Sequence, residues 1–140
     1  MKKAIILIIL WILFVACYIA WGDTFYTIDE VVASTICAEA VGEGCVGLYA
    51  VSNVITNRSK KWNKTPYEIV TQRNQFYGYT AKNREELYKQ EKDYCDYLAK
   101  NLLELDDITN GALYFRRIDE KKQSWHMRFC IKIKNHLFYK

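Results

Sequence analysis

The sequence predicts an α+β protein, a mainly helical single domain with a small C-terminal β element, preceded by a transmembrane helix. Three observations carry that prediction. An unbroken apolar run fills residues 4–21 behind Lys2 and Lys3. From Thr27 to about Leu105, apolar residues recur at helical spacing between recognisable helix starts. Beyond Asn110-Gly111 the helical period gives way to short, imperfectly alternating stretches.

The apolar run comes first. As a helix its residues would span roughly 27 Å, just short of a bilayer's hydrocarbon core. It has no polar face, and its positive flank places the N-terminus in the cytoplasm. A cleaved signal peptide has an apolar core of only about 7–15 residues. This run is longer and ends in Trp21, which favours an uncleaved signal anchor over residues 1–22. Cleavage, and lipidation at Cys17, are the competing readings. All three put residues 28–140 outside the cytoplasm, joined to the anchor by a stem at 23–27. The expected location is the cytoplasmic membrane, single-pass, with the domain on its extracytoplasmic side.

Beyond Trp21 the chain carries 18 basic and 16 acidic residues, and the asymmetry is local. Residues 116–140 hold eight basic and two acidic side chains, while residues 82–107 are net acidic. A basic C-terminal face suits an anionic polymer or is simply solvated. Four cysteines (Cys37, Cys45, Cys95 and Cys130) follow the anchor without a CxxC pair. Cys37 and Cys95 fall at apolar positions of predicted helices, where a free cysteine often serves as a small core residue. No pairing is assigned.

The domain opens on Thr27-Ile28-Asp29-Glu30, which has the form of a capping box. Val31, Val32, Thr35 and Ile36 continue the stripe of that helix to about Ala40, where Gly42 and Gly44 break it. A second helix is predicted from about Val46 to Arg58. Thr65-Pro66-Tyr67-Glu68 starts a short third one that stops near Arg73. Residues 74–80 read as an aromatic loop. One long helix is expected over 84–105, then a short strand at 112–115. The stretch from Met127 to Tyr139 reads as a second strand, possibly paired with the first.

The chemistry concentrates in Ala38-Glu39-Ala40-Val41-Gly42-Glu43-Gly44. Glu39 sits one turn before the end of an otherwise apolar helix. A carboxyl on such a surface has its pKa raised by desolvation, and a glutamic acid protonated near neutral pH can donate to a leaving glycosidic oxygen. Small neighbours leave room for a bulky polymer. On spacing alone the same residues could equally be a helix end with two solvated acids.

The segment from Ala38 to Arg58 resembles the core signature of the spore-cortex-lytic enzyme family of bacterial cell-wall hydrolases. The matching residues include Glu39, Gly42, Glu43, Gly47, Asn57 and Arg58. Later landmarks follow in order: Pro66 with Ile69-Val70, Gln75-Phe76, the stretch 111–115, Trp125, and a closing Asn135-His136-Leu137-Phe138-Tyr139. The resemblance covers about residues 28–140. It departs at Asn135, where the family usually has glycine, and in the short segment around Trp125.

That resemblance implies a lysozyme-like transglycosylase fold and cleavage of the β-1,4 bond between N-acetylmuramic acid and N-acetylglucosamine. It implies Glu39 as general acid and base, with Glu43 as the second candidate. Glycosidases usually use two carboxyl groups, and no second acid stands out elsewhere in the predicted cleft, which suits a single-glutamate lytic transglycosylase. Hydrolysis by a muramidase-like route is the variant reading.

Substrate-binding candidates are Asn57, Gln75, Phe76, Tyr77, Tyr114, Trp125 and His136. For each, a structural role competes: Asn57 as a helix cap, the aromatics as core, His136 as a satisfied structural histidine. The expected partners are peptidoglycan and the membrane, with no nucleic acid, no metal and no cofactor, and the protein a monomer. His126, Cys130 and His136 match no common zinc spacing. A cysteine–histidine amidase would need Cys37 or Cys45 beside His136 and lacks an orienting partner. The strongest rival is a wall-binding protein that keeps the fold without catalysis.

Overall fold

The computed structural model describes Trp11, residues 27–120 and residues 126–140. The anchor and stem therefore lie outside the described residues apart from Trp11 and Thr27, as does Trp125. Among the described residues no helix is long and apolar enough to cross a membrane.

Among the described residues from 27 to 140, six helices precede a small sheet: α1 (Ile28–Glu39), α2 (Gly44–Trp62), α3 (Pro66–Val70), α4 (Tyr77–Thr80), α5 (Arg84–Gln90) and α6 (Lys92–Asn101). The strands are β1 (Tyr114–Arg117), β2 (Phe129–Ile133) and β3 (His136–Tyr139), all antiparallel in the order β1-β3-β2.

Both expected capping boxes form. Thr27 and Glu30 exchange hydrogen bonds at the start of α1, and Thr65 and Glu68 do so at α3. Each cap satisfies backbone N–H groups that the helix leaves unpaired, worth about 1 kcal/mol. α1 is the central element and packs against every other helix. Its residues 32–37 are all buried, with Ile36 facing Leu48, Val51 and Ile55 of α2 within one core. A second, smaller core joins Ala50 and Val54 of α2 to Ala112 and Phe138 beneath the sheet.

The second helix runs on to Trp62 rather than ending at Arg58, and the expected aromatic loop contains the short helix α4. Three further expectations need correction. The long helix over 84–105 is two helices, because Glu91 leaves the helical region (φ −123°, ψ 23°). In a straight helix Tyr88 and Asp96 would be separated by roughly 12 Å of rise. The break lets the Tyr88 hydroxyl donate to Asp96, with Lys92 bridging both. The C-terminal stretch folds as a hairpin of β2 and β3, with Lys134 at the turn in the left-handed region (φ 51°). The imperfect alternation of residues 127–139 was the trace of that turn and of a bulge between Phe129 and Ile131.

The third correction concerns cysteines. Cys37 and Cys95 are not free core residues but form a disulfide joining α1 to α6. Cys45 and Cys130 are free.

Candidate active site

α1 ends at Glu39, and Gly42 (φ 81°) turns the chain back into α2. Two glutamates flank this turn. The Glu39 side chain is half-buried in the wall of a groove of about 380 Å³. The N–H of Gly78, in α4, donates to Glu39 Oε1. α4 can come this close only because residue 78 is glycine. A Cβ there would lie 2.9 Å from the Thr35 carbonyl oxygen and 3.0 Å from Glu39 Cγ.

Burial raises the Glu39 pKa to about 6, against the opposing pull of the Gly78 N–H and the positive charge of Arg58. The carboxyl therefore exchanges its proton close to neutral pH, with one oxygen fixed by a backbone donor.

Glu43 is differently held. Asn135 donates to its carboxylate twice, from the backbone N–H at 2.9 Å and from Nδ2 at 3.3 Å. Burial acts to raise its pKa, but those two donors and the charges of His136 and Arg117 outweigh it, and the net shift is downward. Glu43 thus ties the α1–α2 turn to the β2–β3 hairpin. Gly47 makes room for it, since a Cβ at 47 would fall 2.2 Å from Glu43 Cβ. Asn135, the departure from the family's glycine, supplies the second of the two donors.

Arg58 is buried beside Glu39 in the groove wall. Its Nε donates to the Leu113 carbonyl (2.6 Å), and a terminal nitrogen donates to Gln75 Oε1 (3.3 Å). The guanidinium lies over the rings of Phe76 (4.9 Å), Tyr114 (5.2 Å) and Trp62 (5.4 Å). Burial lowers its pKa to about 10, which leaves it charged at neutral pH.

The sequence-derived candidates divide. Glu39, Gln75, Tyr77 and His136 all line the groove. Tyr77 is 88% exposed, a free ring at the groove's edge. His136 is buried against Phe115, 5.4 Å between ring centres, and its Nδ1 has no hydrogen-bond partner among the described residues. Burial lowers its pKa, so the ring is biased to the neutral form.

Phe76 and Tyr114 instead pack on Arg58 from behind the wall. Asn57 faces elsewhere: its Nδ2 donates to Asp107, Thr109 and the Ala112 carbonyl, fixing the loop before β1. It is a structural clamp, not a groove residue.

The groove also contains residues that sequence reasoning passed over as site residues: Arg58, Phe115, Arg116, Arg117 and Glu120. Glu120 corrects the expectation that no second acid stands in the cleft. Its negative charge adds to the upward shift at Glu39. The one available signal was the Asn57-Arg58 pair of the family signature; nothing in the spacing marked Glu120.

With this geometry in place, the comparisons with known proteins are decisive for the family. The cell wall hydrolase family model matches residues 42–139, more than half of the chain. The chain belongs to that family. This cell wall hydrolase is therefore an enzyme acting on peptidoglycan. The match takes in Glu43, Arg58, Glu120 and His136, and begins three residues beyond Glu39.

The fold of this cell wall hydrolase resembles the catalytic domain of the germination-specific lytic transglycosylase SleB from Bacillus anthracis. The TM-score is 0.66 over 85% of this chain and 99% of that one. At 23% identity the likeness is one of fold. No curated protein matches the chain.

Proposed function

We propose that this enzyme cleaves the β-1,4 bond between N-acetylmuramic acid and N-acetylglucosamine, with Glu39 as general acid and then base. The observation that carries the reading is Glu39 itself, a carboxyl in a groove wall with a pKa near 6 and a backbone donor on one oxygen. In the first step Glu39 gives its proton to the bridging oxygen as the muramic acid C1–O bond breaks. Positive charge develops at C1, and the Glu39 carboxylate faces it. The carboxylate then takes the proton of the sugar's 6-hydroxyl as that oxygen bonds to C1. The products are a 1,6-anhydro ring and a free 4-hydroxyl, with no water consumed and Glu39 protonated again.

Arg58 and the Gly78 N–H stabilise the transient carboxylate. Gln75 and Tyr77 line the groove as sugar contacts. Glu120 favours a second reading, hydrolysis in which its carboxylate orients water for attack at C1. Mass spectrometry of digested walls separates the two, because hydrolysis leaves a reducing muramic acid in place of the anhydro product.

Zymography on purified walls with the wild type and Glu39→Gln tests the core of the reading. Loss of a general acid costs about 10²–10⁴-fold, and equal clearing by both proteins would defeat it. Activity is expected to fall as pH rises through about 6, where Glu39 loses its proton. The apolar run of residues 4–21 supports a membrane tether that confines the enzyme to nearby wall. Recovery of the chain wholly in the culture fluid would remove that tether.

A further inference from the structure

Tyr77 does not stand at the rim of one cavity but between two. Beyond it, and sharing Asn74 and Tyr77 with the Glu39 groove, lies a second cleft of about 320 Å³. We propose that this side cleft receives the carboxylate-bearing peptide stem of peptidoglycan, with Arg73 as its charge partner, while the glycan strand lies in the Glu39 groove. The inference rests on the reading of Glu39 as the residue that cuts the glycan.

The chemistry of the lining selects the ligand. Its polar groups are hydroxyls and amides from Thr71, Gln72, Asn74 and Thr80, and its one charged side chain is Arg73. No acidic residue lines it. Arg73 is exposed and makes no ion pair or side-chain hydrogen bond among the described residues. The wall is completed by the Phe76 and Tyr79 rings.

The alternating sugars of the glycan are neutral apart from what the lactyl group bears, and the anionic groups of the polymer are carried on its peptide branches. A cationic, acid-free cleft beside a groove that takes the strand therefore complements a branch rather than another sugar. The backbone supports this placement. Asn74 adopts the left-handed conformation (φ 61°), which turns the chain between α3 and α4 so that one loop forms the walls of both cavities.

The test compares two substrates for the full-length enzyme: glycan strands with stems intact, and the same strands stripped of stems by an amidase. Wild type is expected to cleave stem-bearing strands with kcat/KM about fivefold higher. Arg73→Gln should lose that preference with its rate on stripped strands unchanged, and Arg73→Lys should keep part of it. Equal losses on both substrates, or an unaltered preference in Arg73→Gln, would overturn the proposal.

A second measurement is independent of cleavage. Binding of a soluble stem tetrapeptide to Glu39→Gln, followed by NMR, should perturb residues 71–80 and weaken about fivefold when Arg73→Gln is added. Peptide binding there without glycan cleavage by wild type would uphold the cleft and sink the Glu39 reading. Absence of binding at residues 71–80 would sink the cleft.

Discussion

The last turn of α1 and the bend that follows it each present one glutamate, and the fold holds the two in different ways. Glu39 sits in a groove wall where desolvation outweighs the backbone N–H groups of Gly78 and Tyr77 and the charge of Arg58, and its pKa climbs to about 6. At Glu43 two donors from Asn135 and the charges of His136 and Arg117 outweigh desolvation, and its pKa falls. What a carboxylate becomes is decided by the balance of desolvation against the donors and charges aimed at it. One acid is left able to move a proton, and the other is locked as a charged strut between α1–α2 and the hairpin.

The largest expected effect bears on the side that carries Glu39. Cys37 lies two residues before it and is tied to Cys95 in α6. Replacing both cysteines with alanine should cost about 3–4 kcal/mol in urea unfolding, and reductant should do the same to wild type. If the replacement leaves stability unchanged, the covalent pin is not what steadies the Glu39 end.

Next comes the strut. Glu43→Gln leaves Asn135 with an imperfect acceptor and should destabilise by about 1–3 kcal/mol at neutral pH. Its folded pKa is depressed, so its contribution is present above the unfolded value and is lost as pH falls through the folded one. The gap between wild type and variant should therefore close in acid. A gap that widens in acid would reverse the roles assigned to the two glutamates.

Glu39→Gln should behave in the opposite sense. Its raised folded pKa gives stability that is full below the unfolded value of 4.5 and is lost as pH rises through about 6. At pH 7.5 the variant should be more stable than wild type by about 1–2 kcal/mol, with the difference vanishing near pH 4. A variant less stable than wild type at pH 7.5 would show that the carboxylate is not a buried liability.

The smallest effect sharpens the geometry. Gly78→Ala forces α4 away from α1 and removes the donor on Glu39. kcat should fall about tenfold, and the alkaline limb of the pH profile should move up, because the lost N–H was holding the pKa down. A loss of rate with an unmoved limb would mean that α4 positions substrate but does not tune the acid.

Much of this was legible in the chain. The two capping boxes are local, three residues from donor to acceptor, so Thr27-Glu30 and Thr65-Glu68 announced their helices. The Glu39 motif was legible for the same reason: helix, acid and glycine bend are contiguous. The break at Glu91 was not, since 84–105 carries an acceptable helical stripe throughout and only side-chain bonding between Tyr88 and Asp96 reveals the fold-back. Asn57 misled because the helix runs on to Trp62, and an amide within it has no local signature of which side it faces. Its partners lie 50 to 55 residues away.

By itself the sequence determined the helical frame, the change to strand beyond Asn110-Gly111, the family signature and the glutamate on which the chemistry is proposed to turn. Those depend on periodicity and on residues adjacent in the chain. Only the tertiary structure decided that Cys37 meets Cys95, that Arg58 and Glu120 share a groove with Glu39, and that Asn135 rather than solvent satisfies Glu43. Each of those is a contact between segments far apart along the chain. A carboxylate's pKa follows the donors and charges that packing brings to it, and nothing in its own neighbourhood of sequence encodes them.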